Sequence, residues 1–529
     1  QKKGSPLATE YAAAVQRAEA NARVLSKAGD YPLLGGGDVN LYSLFVERAQ
    51  GLVKPQGVVA LLTPSGIAAD KGASVFFRSI ATTRRLAGLF DFENRKGLFP
   101  DVDSRFKFCT LLFGGAARRF DVTRCAFYLH GLDELAAPGR QLEMTADDFA
   151  LMNPNTGAAP IFRAQRDLEI TRAVYRRHPV LVRHGEVTES LGRLPDQRAW
   201  PVTYTTLFHM TNDSGRFQNA ESLRKQGFGP SELGRWRRGD EEALPLYEGK
   251  MVQMFDHRAA DVTVNAENLH RAAQPSPIRN AEKVDPARLP APQYWVVDEA
   301  DGLLGREWAL GFKEITAPTN MRTMISAMLP NAAFGNKLPL LLIPDVDSAS
   351  AARMAALLCA NLNALAFDFV LRRKLQGQTI NWFILEQLSV IAAATFDSPL
   401  SAPFAARMRE TGLMNGHHPS PTVADFVIPQ VLALSYTAHD LAPFARDLGY
   451  VDAQGQVLPP FTWDDEDRRR RLAALDALFF HLYGLGEDDA AYVMDTFPIV
   501  RQQDEATFGR YRTKDDVLAL LRLMPAPAG

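Results

Sequence analysis

The stretch Val58–Phe113, VVALLTPSGIAADKGASVFFRSIATTRRLAGLFDFENRKGLFPDVDSRFKFCTLLF, decides the architecture of this 529-residue chain. It holds three apolar runs. Val58–Thr63 and Leu86–Phe92 are short, nearly unbroken and bounded by Gly, Pro or charge, as strands buried on both faces are. Phe106–Phe113 follows the turn-rich Pro100–Ser104 and reads as a strand returning beside them, with Phe106 and Phe108 facing the core. Between the first two, Ala69–Ala81 places Val75, Phe76, Ser79 and Ile80 at helical spacing. Strand, helix, strand is a crossover unit of an α/β sheet. Ligands of such sheets gather at the carboxyl ends of strands, which points to Thr63-Pro64-Ser65 and the Glu93–Ser104 loop.

Upstream, Pro6–Ala28 predicts a helix with one weak apolar stripe, including Tyr11 and Val15. Asp38 or Asn40 can cap a second helix, whose expected buried face is Leu41, Leu44, Phe45, Ala49 and Leu52. Gly35-Gly36-Gly37 has no strong strand before it, so it reads as a connector rather than a phosphate cradle.

Downstream, Arg118–Tyr128 reads as a further strand, and Asn153-Pro154-Asn155-Thr156-Gly157 as a tight turn. A boundary is expected near Leu151. Between Ile161 and Ala260 sixteen Lys/Arg face thirteen Asp/Glu, which is not a basic domain. Basic and aromatic residues interleave there: Trp200, Tyr204, Phe208, Phe217, Phe228, Arg235, Trp236, Arg237 and Arg238. That pattern suits a surface clamping a phosphate backbone, and equally a small β-domain with its own core. Short strands around Tyr294–Val297, Trp308–Ile315 and Leu338–Ile343 continue it, and long helical runs follow from Ser348.

The totals bound the function. The length implies two to four domains. A net charge of −2 confines any nucleic-acid footprint to a local patch. Nothing in the sequence has membrane-spanning length. Cys109, Cys125 and Cys359 lack metal-ligand spacing and predict buried thiols, as in a reducing cytoplasm. His257, His417, His418 and His439 form no convincing ligand set, so no metal is expected.

Several blocks together resemble one family. Leu41–Arg48, Lys54-Pro55, Leu62-Thr63-Pro64-Ser65 and Leu98-Phe99-Pro100 are similar to the later half of an adenine-N6 DNA methylase catalytic domain. The kinship is with large single-chain methylases of type IIG restriction–modification, BREX and DISARM phage-defence systems. The likeness continues through Asn153–Gly157, Leu246–Met251, Phe255–Arg258, Asn361-Leu362-Asn363 and Asp495–Val500. It implies an α/β fold: the second half of a Rossmann-like methyltransferase sheet (1–150), a mixed α+β DNA target-recognition region (151–395) and a helical C-terminal region (396–529). It also implies S-adenosylmethionine as cofactor and double-stranded DNA as partner, in the cytoplasm. Within it, Phe99 matches the position that stacks on a flipped base, with a simple core anchor as its other reading, while Lys250, His257, Arg258, Asn320 and Arg322 fall in the DNA-recognition part, the first three alternatively in a structural turn.

Methylating an exocyclic adenine amine requires flipping the base, holding it against an aromatic face and aiming its lone pair at a sulfonium methyl. The family orients the amine with an (Asn/Asp/Ser)-Pro-Pro-(Tyr/Phe) turn. Leu458-Pro459-Pro460-Phe461 has Leu where the acceptor must be, far from the sheet. The glycine turn for the cofactor and its acidic ribose partner are missing too. The chain is therefore expected to bind DNA but to need a complementary part for transfer. Two other readings stand beside this one. One is a non-catalytic recognition or scaffold subunit of a defence complex. The other is a type IIG restriction endonuclease, with Asp101, Asp103 and Lys107 as a loose nuclease pattern.

Overall fold

A computed structural model describes residues 5–27, 29–36, 40–188, 192–263, 273–298, 305–416 and 419–526. Gly37, Asp38, His417 and His418 lie outside these. The chain divides into two units, Gln1–Arg176 and Arg177–Gly529.

The first unit is built on a five-stranded sheet. Its strands are β1 (Val58–Pro64), β2 (Leu86–Glu93), β3 (Lys107–Gly114), β4 (Thr123–Leu129) and β5 (Leu142–Met144), in the order β1-β3-β2-β4-β5. The returning strand β3 sits between the other two and runs antiparallel to both, so β1 and β2 point the same way. β4 adds parallel to β2.

Burial corrects the expectation for β1. β2 is central and mostly buried, but β1 is an edge strand with Val58 and Leu62 exposed, so it is covered on one face only. The crossover is broken into Gly66–Ala69, a 3-10 turn and the helix Ser74–Ala81. Phe76, Phe77 and Ile80 bury that helix and Val75 faces out. Asn40 caps Leu41–Leu52 through the Tyr42 amide at 3.4 Å. That helix buries Leu44 and Val46 instead of Leu41, Phe45 and Leu52, which are exposed. Pro6–Lys27 is helical with no buried residue.

The boundary falls at Arg176 rather than near Leu151 because 153–176 packs onto the sheet unit. The Ala159 amide bonds the Ala68 carbonyl at 2.9 Å, and Arg172 pairs with Asp148 at 2.7 Å. Gly157, at φ +64°, lies where a Cβ would meet the Arg78 side chain at 2.9 Å.

In the second unit a four-stranded antiparallel sheet has the order Thr203–Thr205, Leu340–Leu342, Trp308–Phe312, Ser326–Pro330. A second sheet centres on Glu241–Tyr247, flanked by Trp236–Arg238 and Trp295–Asp298. The buried helices Ser348–Asn363 and Leu365–Arg372 join these strands to the C-terminal helices Val423–Ser435 and Asp465–Leu482. Asn361 and Asn363 form much of that joint. Asn363 exchanges two 2.9 Å hydrogen bonds with the Ser326 backbone. Asn361 accepts from the Ile391 amide at 2.9 Å and donates to the Tyr483 hydroxyl at 2.7 Å. The β-rich and helical parts, expected to divide near residue 395, therefore share one core. Among the described residues no single helix is long and apolar enough to cross a membrane.

Candidate functional site

The carboxyl ends of β1, β2 and β4 collect polar groups in the first unit. β1 ends in Thr63-Pro64-Ser65, and the Ser65 hydroxyl donates a short hydrogen bond to the Asp91 carboxylate on β2. Both side chains are buried. Burial raises the Asp91 pKa to about 6, against the lowering pull of Ser65 and Lys107. Two residues on, Glu93 faces the cations Arg95 at 2.7 Å and Lys107 at 3.5 Å, with the His130 imidazole at 3.6 Å. Burial opposes ionisation of Glu93, but Arg95 and Lys107 outweigh it and hold its pKa below the usual carboxylate value.

Tyr128 sits at φ +56°, a costly conformation for a non-glycine residue, where the β2–β4 register shifts. Its ring lies under Lys107 at 5.3 Å and Arg163 at 3.9 Å. Neither Asp91 nor Tyr128 was singled out by sequence. An apolar-acid-apolar triplet, Phe90-Asp91-Phe92, inside a central strand was the available signal for Asp91.

Phe99 lies in the loop that follows β2. The loop is shaped by Asn94, whose side-chain oxygen accepts from the Phe99 amide at 2.9 Å. The same side chain donates to the carbonyls of Phe99 at 2.8 Å and Val102 at 2.7 Å. The Phe99 ring stands edge-on to Phe108, 5.0 Å between centroids, and Phe108 stacks on Phe92 at 5.3 Å. Phe99 keeps 38% of its surface exposed, so it rests on an aromatic base and still presents area to solvent. Phe106, expected to face the core, is 64% exposed.

The nuclease pattern does not assemble. Arg105 holds Asp103 through side-chain and backbone hydrogen bonds, lowering its pKa to about 2, and Lys107 faces Glu93. Among the described residues no cluster of His, Cys, Asp and Glu could hold a metal ion.

A nucleoside cradle is not formed either. Gly66 and Gly131 each follow a strand and open a helix. A Cβ on Gly66 would meet the Asp70 carboxylate and, at 3.3 Å, the Tyr42 hydroxyl. On Gly131 it would meet the Asp133 carboxylate and, at 3.3 Å, the Lys96 amine. The chain's own side chains stand beside both turns, so neither turn as it stands is open to S-adenosylmethionine.

The residues expected to touch DNA divide by burial. Arg258 is 0% exposed. Its guanidinium donates to the carbonyls of Asp285, Arg288, Lys283 and Thr437 and to the Thr437 hydroxyl, at 2.9–3.0 Å. His257 is buried against Asp440 at 2.9 Å, and Arg322 against Asp476 at 3.1 Å. These three belong to the interior, where buried partners hold them. Lys250 remains half-exposed on a cleft wall, paired with Glu248 at 2.9 Å. Asn320 is exposed, its carbonyl accepting from Arg372 at 2.8 Å.

The interleaved segment answers both of its readings. Phe228, Trp236, Leu223 and Ala243 form a small core. Exposed arginines lie over its aromatic residues and over Phe208: Arg224 over Trp236 at 5.2 Å, Arg238 over Phe228 at 4.6 Å and Arg216 over Phe208 at 4.9 Å. Arg216 and Arg224 were missed, since stacking across a sheet leaves no local spacing to read. Trp200, by contrast, is fully buried, its indole N–H on the Ile391 carbonyl at 2.9 Å.

No family model matches the chain, and no curated protein matches it. Among solved structures, the Type IIL restriction-modification enzyme MmeI in complex with DNA is similar at TM-score 0.35 and 11% identity, over 89% of this chain and 55% of that one. The type IIG restriction endonuclease BpuSI is similar at TM-score 0.24 and 10% identity, over 89% and 52%. A DrdV–DNA complex gives 0.28 and 10%, over 89% and 42%. The chain thus spans about half the length of these proteins. Likeness this slight carries no argument about the chemistry of the chain.

Proposed function

We propose that the chain is the base-stacking and DNA-recognising part of an adenine-N6 DNA methyltransferase of a restriction–modification or phage-defence system, working in the cytoplasm. The observation that carries this reading is the Phe99 loop. An aromatic ring, partly exposed, is fixed by Asn94 at the carboxyl edge of an α/β sheet, where such sheets keep their ligands. Phe108 beneath it leaves one edge and face for a flipped base, and stacking on an aromatic ring contributes roughly 1–3 kcal/mol per base. The residue-level resemblance names the base as adenine.

S-adenosylmethionine would supply the methyl group, held by a complementary part of the enzyme. The edge of β1 supports that arrangement. Among the described residues β1 has one hydrogen-bonded neighbour, β3, so its other edge suits a strand that continues the sheet, while exposed Val58 and Leu62 leave one face for a covering layer. The DNA contacts would come from Arg216 and Arg224 and from Arg238, which would trade its exposed partner Glu241 for a phosphate, with Asn320 and the Glu248-paired Lys250 as further candidates.

The closed turns at Gly66 and Gly131 equally favour a second reading, a DNA-recognition subunit without catalysis. Substitution of Phe99 in the complete enzyme decides between them. In a methyltransferase, Phe99→Ala lowers turnover and the 2-aminopurine signal of base flipping, while Phe99→Tyr keeps both. In a recognition subunit neither substitution changes methylation of the DNA.

A further inference from the structure

The second unit holds a cleft of about 700 Å³ between the Glu248–Gln253 segment, Ala259-Ala260 with the Pro275–Lys283 segment, and the Lys313–Lys337 region. That volume is typical of small-molecule sites, which are mostly apolar with a few convergent polar groups. Met210, Ile278, Ile315 and two prolines, Pro275 and Pro277, supply the apolar wall. Four lysines reach the same cleft, and three are committed. Lys250 pairs with Glu248 at 2.9 Å, Lys283 with Asp256 at 2.6 Å and Lys337 with Glu314 at 3.1 Å.

Lys313 is different. It lines the cleft half-buried, with no carboxylate or hydrogen-bond partner among the described residues. Burial lowers its pKa below the ordinary lysine value. An ammonium partly withdrawn from water at the wall of an apolar cleft, with no carboxylate beside it among the described residues, is placed to pair with an anion that enters.

We propose that this cleft binds a small organic anion with an apolar body, its carboxylate or phosphate paired with Lys313. Duplex DNA fits the cleft less well. Phosphate-backbone binding draws on a series of uncommitted cations along an open surface, and this cleft offers one.

The test is a fluorescence titration of the whole chain with 1-anilinonaphthalene-8-sulfonate, an amphipathic organic anion. One saturable site is expected, weakened about tenfold by Lys313→Met, because the lost ion pair with a desolvated charge is of that order. Lys337→Met, which removes a committed amine, should weaken binding less. The melting temperature of Lys313→Met should hold or rise, which separates lost binding from lost folding. Decanoate and adenosine monophosphate as competitors then show whether carboxylate or phosphate is preferred. Unchanged probe affinity in Lys313→Met overturns the proposal. Displacement of the probe by duplex DNA at matched ionic strength overturns it too, since the site would then belong to nucleic acid.

Discussion

Asp91 shows how one buried side chain leaves a mark on the whole molecule. Its carboxyl is raised from 3.8 to about 6 in the folded chain, chiefly by burial. Between those values the native state holds more protons than the unfolded one, so this group's contribution to stability declines as pH rises from about 4 to 6. Above that window the loss is complete, on the order of 2–3 kcal/mol. Asp91→Asn keeps an acceptor for Ser65 and has nothing to ionise. Urea denaturation at pH 5 and pH 8 should therefore show the variant gaining on the natural chain as pH rises. An equal difference at the two pH values would contradict this account. Arg258 belongs to the same scale. Arg258→Met leaves five acceptors, on Lys283, Asp285, Arg288 and Thr437, without their donor and should cost about 3–5 kcal/mol, read from a denaturation midpoint. A surface arginine would change stability by less than about 0.5 kcal/mol.

Among the elements, the loop after β2 rests on one side chain. Asn94→Ala removes three hydrogen bonds and should cost about 1–3 kcal/mol. It should also release the Phe99 ring from Phe108, seen as faster hydrogen exchange at the Phe99 amide, with the β2 and β3 amides still protected. The strands and crossover around this loop were legible because unbroken apolar runs and turn residues are local signals. Which face each element buries was less so. Phe45 and Phe106 are as apolar as Phe76, and only the tertiary partner of each helix or strand separates them. Arg258 was misread for a related reason. A cation beside His257 in a short motif looks exposed, and the acceptor that buries it, Thr437, lies 179 residues away. The Asn361-Leu362-Asn363 block was seen as a family mark, yet its work here is to tie helix to strand and loop backbone.

At the scale of the molecule, two units divide the labour proposed for the chain. One carries the sheet edge with Phe99, and the other carries stacked arginines over a small aromatic core. Within the second, His257–Asp440, Arg258–Thr437 and Arg322–Asp476 cross from the β-rich part to the helical part. A chain ending at residue 395 should therefore fail to give a cooperative transition for the β-rich part. The central claim, that this chain recognises DNA, is tested most directly by anisotropy titration of a fluorescent duplex at several salt concentrations. Binding is expected, with a logarithmic affinity that falls linearly with log salt. Arg224→Ala and Arg238→Ala should each flatten that slope by about one. Failure to bind duplex at low salt, or binding indifferent to salt and to both substitutions, would contradict it.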